Sequence, residues 1–130
     1  GLAENLYLDE VRTLVARYDL TGDAILQLVA AVQADAALLQ DQAWQDEMTT
    51  AVATIRRTGQ QIRSLEPPPL FAAAQIDLRS ATGAFDLAAT LLEEGVDEGA
   101  LDKLEQALAE ADTGRDLLES AQAKIDTVTE

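Results

Sequence analysis

The sequence predicts an all-α protein, an up-down-up-down antiparallel four-helix bundle in one domain spanning residues 1–130. Three observations carry the prediction. Apolar residues recur at three-and-four spacing along nearly the whole chain. No long alternating run of β-branched residues interrupts them, so strand signals are absent. All three prolines lie together at residues 67–69, the midpoint, and the pattern on either side divides into two helices.

The first helix is expected over residues 4–39, with the stripe Tyr7, Val11, Leu14, Tyr18, Ile25, Val29 and Val32. The stripe keeps its phase through Thr21-Gly22, so it reads as one helix despite a glycine cost of about 1 kcal/mol. Asp41 is an expected N-cap for a second helix over 41–65, with Trp44, Met48, Val52, Ile55 and Ile62 facing inward. Glu66 precedes a proline and is pushed out of helical geometry, which stops that helix. The prolines then form a stiff extended step of roughly 9 Å, matching the distance of about 8–10 Å between packed helices. Leu70 and Phe71 are both expected to enter the core. The segment lacks the repeated exposed prolines of ligands for aromatic-groove domains, so it reads as a corner. A third helix follows over 70–94 through Phe71, Ala74, Leu78, Ala81, Phe85, Ala88 and Leu92. Gly95 fits a left-handed helix end and Asp97 fits a cap for a fourth helix over 98–127.

Composition excludes several chemistries. With no cysteine the chain has no disulfide, thiolate nucleophile, iron–sulfur cluster or thiolate zinc site. With no histidine it lacks the usual general base, transition-metal ligand and haem ligand. Its 24 acidic and 9 basic residues give a net charge of −15, which repels nucleic acid and anionic membrane surfaces. No apolar run reaches the ~18–20 residues of a membrane span, and the start at Gly1 without a methionine predicts a longer gene product. Reflecting the helices about their turns makes the charge uneven. Residues 24–52 and 80–110 hold 12 acids and one base, and the proline-side half holds 12 acids and 8 bases.

Two constellations are candidate sites. Each helix carries a Thr-Gly pair, at residues 21–22, 58–59, 82–83 and 113–114, and two of the glycines project to one level. Either alanine-lined helices approach closely there, or a cavity offers the hydroxyls of Thr21 and Thr58 to a small ligand. Arg56, Arg79 and Arg115 also project to one level, with Gln75 near enough in sequence to join them. Such a set suits a carboxylate or phosphate, unless each arginine pairs with Asp77, Asp112 or Asp116. The acidic end attracts cations diffusely, but Asp97-Glu98-Gly99 lacks the alternating ligands of a calcium loop. No carboxylate falls on a core-facing position, and Lys103 and Lys124 read as exposed. The sequence therefore predicts no catalytic set and a non-enzymatic protein.

In outline the bundle is similar to cytochrome c′ and to ferritin-like proteins, yet the Cys-x-x-Cys-His and Glu-x-x-His motifs of those families are missing. No cofactor is implied. The second half, Leu65-Glu66-Pro67-Pro68-Pro69-Leu70-Phe71 followed by two alanine-rich helices joined at Glu94-Gly95-Val96-Asp97, resembles helical domains of exported or lipoprotein-type bacterial proteins. That resemblance implies an extracytoplasmic location, by export or through an anchor outside this segment. The expected role is an interaction or ligand-sensing module with a protein partner, a second copy of the chain or a small molecule. The alternative is a bundle that binds cations or small anions.

Overall fold

A computed structural model describes residues 1–130. It contains four helices, α1 (Leu2–Ala34), α2 (Gln42–Arg63), α3 (Ala72–Glu98) and α4 (Leu101–Thr129), and no strand. They form the expected antiparallel bundle around one core. No helix is long and apolar enough to cross a membrane. The 33-residue α1 runs unbroken through Thr21-Gly22, so it is about 50 Å long.

α1 ends five residues before the predicted boundary. Asp35 leaves helical geometry at φ −147°, and its Oδ1 accepts from the Ala37 N–H at 3.1 Å. A short polar side chain that satisfies the backbone locally favours such a break. A 3-10 turn over Ala36–Gln40 follows and buries Leu39. Asp41 caps α2 as expected, accepting from the Trp44 N–H at 2.9 Å. The buried Trp44 indole donates to the Leu28 carbonyl at 2.9 Å and pins α2 to α1.

At the corner, Pro68 adopts φ −55° and ψ 152°, polyproline geometry, before a 3-10 turn over Pro69–Phe71. Only one of the two residues expected inside reaches the core. Phe71 is buried and stacks on Tyr7 with ring centroids 5.3 Å apart, whereas Leu70 faces solvent. Consecutive residues of a 3-10 turn point about 120° apart, so they cannot share a face.

The α3–α4 turn corrects the predicted one. Gly95 lies inside α3, and the left-handed residue is Gly99, at φ 63°. The Ala100 N–H donates to the Gly95 carbonyl at 2.8 Å and the Gly99 N–H to the Val96 carbonyl at 3.3 Å, the paired bonds of a Schellman ending. Gly95 is needed for packing instead. A Cβ there would sit 2.6 Å from Leu104 Cδ2. Moving the turn by about four residues re-registers α4 against α3 by about two helical turns, since an antiparallel partner shifts by twice the displacement of the turn.

Candidate functional site

The middle of the bundle is a filled layer. Tyr18 of α1 and Phe85 of α3 stack with centroids 4.0 Å apart and planes 14° from parallel. Three glycines make room around them. A Cβ at Gly114 would meet the Phe85 ring at 2.7 Å, one at Gly22 the Arg115 guanidinium at 2.6 Å, and one at Gly59 the Tyr18 hydroxyl at 3.2 Å. The hollow left beside Tyr18 and Phe85 measures about 10 Å³, too small for more than one water. The Thr-Gly level is therefore close packing, with no ligand cavity. Thr58 is wholly buried and donates to the Thr54 carbonyl at 2.7 Å. Thr21 is half-buried on the other side of α1, at the edge of an outer groove. Gly83 is exposed and has open space beside it.

A polar group missed from sequence sits at Gly59. The Tyr18 hydroxyl and Asp86 Oδ1 are both buried without a hydrogen-bond partner. Asp86 Oδ2 receives Arg63 Nη1 at 2.9 Å. Burial, and then the charge of Asp86, push the Tyr18 hydroxyl pKa up, with Arg63 opposing. Asp86 thus overturns the expectation that no carboxylate turns inward. It follows Phe85 directly, and a helix that buries position 85 carries position 86 to the edge of the same face. An orphaned buried hydroxyl costs free energy. Tyr18→Phe is therefore expected to leave stability unchanged or raise it by about 1 kcal/mol in thermal denaturation. A loss larger than that would show the hydroxyl stabilises the fold.

The three candidate arginines are engaged separately. Arg56 pairs with Glu93 and donates to Thr90 Oγ1 at 3.3 Å, on the α2–α3 seam. Arg79 is exposed and reaches the Leu65 carbonyl at 3.4 Å, at the proline end. Glu93 and Arg79 are 14 residues apart on α3, about 21 Å along the axis. Arg115 lies on the α1–α4 seam, 3.3 Å from Asp23. They do not form one anion site: Arg56 and Arg115 pair with acids on separate seams, and Arg79 reaches a backbone carbonyl at the proline end. Asp77 instead pairs with Lys124 at 2.9 Å and accepts from Ser120 at 2.7 Å, and these bonds hold its carboxyl below the usual range. Lys103 is half-buried, not exposed, and bridges Glu98 at 2.9 Å and Glu94 at 3.1 Å. Those hydrogen bonds raise its pKa. No group of three or more carboxylates is placed to hold a metal ion. Gln75 does join a network, though not with the arginines. It is buried, accepts from the Tyr7 hydroxyl and donates to the Ile62 carbonyl at 2.9 Å. Burial pushes the Tyr7 pKa up to about 12, with Arg79 opposing.

The largest concave surface is a groove of about 730 Å³ between α1 and α2. Its α1 wall is Leu20, Thr21, Ala24, Gln27, Leu28 and Ala31. The α2 wall presents Asp46, Glu47, Thr50, Ala51 and Thr54. Leu20 is 72% exposed. The α1 residues flank the core stripe, with Leu28 packed against the core and Leu20, Ala24 and Gln27 exposed, so the apolar surface of α1 extends beyond its buried face. No family model, no characterised protein and no solved structure matches the chain.

Proposed function

We propose that the protein is a non-enzymatic interaction module that takes a helical segment of a partner polypeptide into the α1–α2 groove. The groove itself carries the reading. It is open, its floor is apolar, and Leu20 stands exposed beside it. Exposed apolar surface rimmed by polar residues marks interaction sites on otherwise solvated proteins. The non-enzymatic part draws support from the buried pair. The Tyr18 hydroxyl is enclosed by the filled layer, out of reach of a substrate. The extracytoplasmic location implied by the resemblance suits such a module, and fractionation of cells expressing the full gene product would test it.

Panning a displayed library of helix-forming peptides tests the binding reading. The expected result is enrichment of peptides whose binding falls at least tenfold on Ala24→Arg, a change at an exposed position of the groove wall. Equal enrichment on the wild type and on Ala24→Arg would overturn it.

A further inference from the structure

We infer that the groove is selective for a basic amphipathic helix, an inference that rests on the interaction reading above and adds the chemistry of the partner. The shape points to a helix. Leu20, Ala24, Gln27 and Ala31 follow one another at four, three and four residues, and Glu47, Thr50 and Thr54 do so at three and four. That is the spacing of rows that receive the side chains of a third helix packed alongside. From Leu20 to Ala31 the wall runs about 16 Å, the length of a three-turn segment. Ala24, Ala31 and Ala51 are small enough to admit its backbone closely.

The charge selects the sequence of that helix. Every other seam of the bundle is bridged by an ion pair. α2–α3 has Arg56–Glu93 and Arg63–Asp86, α3–α4 has Lys124–Asp77 and Lys103–Glu94, and α1–α4 has Arg115–Asp23. The α1–α2 seam has none. Residues 24–52 contain four acids and no lysine or arginine. Asp35 and Asp41 are committed to capping helix starts. Asp46 accepts only from the neutral Gln42 amide, at 2.7 Å, and Glu47 has no cationic partner. Both stand on the groove wall within the more acidic half of the bundle. An occupant that leaves them unmatched would bring an apolar face against uncompensated carboxylates, whereas one carrying lysine or arginine beside its apolar stripe completes the seam. A second copy of this chain would bring the same acids and a charge of −15, so it is disfavoured as occupant.

Three 14-residue helical peptides with the same leucine stripe, flanked by lysine, glutamine or glutamate, test the inference by titration into isotope-labelled protein. The lysine peptide is expected to shift resonances of residues 20–31 and 46–54 and to bind at least tenfold tighter than the glutamine peptide, with the glutamate peptide weakest. The double change Asp46→Lys, Glu47→Lys, at exposed positions, is expected to reverse that order. Equal groove binding of the lysine and glutamine peptides overturns the basic preference and leaves the groove reading standing. Lysine-peptide shifts confined to the α3–α4 turn, or unaltered by Ala24→Arg, overturn the groove reading itself. No binding by any of the three up to millimolar concentration counts against both.

Discussion

Phe85→Ala is expected to lower the stability of the bundle by about 3–5 kcal/mol, the range for removing a fully buried ring. Phe85 is 1% exposed and is held between the Tyr18 ring at 4.0 Å and the bare backbone of Gly114. Neither neighbour can collapse easily into the space. Tyr18 is anchored on α1, and Gly114 has no side chain to offer. The midpoint of thermal unfolding should fall by roughly 10–20 °C for a chain of this size. The neighbouring glycine supplies a sharper signature. In the wild type, Gly114→Ala drives a methyl to within 2.7 Å of the ring, and overpacking of this kind costs about 1–3 kcal/mol. With Phe85 already truncated the clash disappears, and the gain in helix propensity of about 1 kcal/mol emerges. Gly114→Ala should thus destabilise the wild type and stabilise Phe85→Ala in urea unfolding. The same effect in both backgrounds would show that the ring does not dictate the glycine.

Gln75→Ala is expected to cost about 2–4 kcal/mol, combining an orphaned donor with a small void. The Gln75 amide sits 1% exposed at the proline end, where it joins α1 through Tyr7, the end of α2 through the Ile62 carbonyl, and its own helix α3. Its removal strands the Tyr7 hydroxyl in the core. The Ile62 carbonyl keeps a bond from the Leu65 N–H at 3.1 Å, so the larger share of the loss lies at Tyr7. The double variant with Tyr7→Phe should therefore recover part of the loss in chemical denaturation. Strict additivity of the two changes would sink this account of the network.

The fold class and the core stripes were legible because helix periodicity is a local property repeated over about thirty residues at a time. The single α1, the Asp41 cap and the break before the prolines follow from residues within one turn of the feature. The α3–α4 turn was not legible, because two glycines four residues apart, Gly95 and Gly99, satisfy the same local rule. The choice rests on Leu104, which comes back along the hairpin and occupies the space where a Cβ at position 95 would stand. Sequence spacing put Arg56, Arg79 and Arg115 at one level, yet each went to a nearer partner. Side chains this long choose by distance in space, which a projection along the axis does not contain. The Tyr18–Asp86–Arg63 group was hidden for the same reason, since its three members come from three helices.

By itself the sequence determined that this chain is a helical bundle with a large negative charge and without cysteine or histidine chemistry. Those are properties of composition and period, and they survive any error of register. The tertiary structure alone decided what the glycines are for and where a partner would fit. Gly22, Gly59, Gly95 and Gly114 turned out to be contact points for Arg115, Tyr18, Leu104 and Phe85. The α1–α2 groove exists because those contacts close the interior, while one face of α1 and the unmatched acids of α2 remain open to solvent. How much of the apolar surface of α1 is covered depends on how four helices meet, and a chain read one residue at a time does not carry that information.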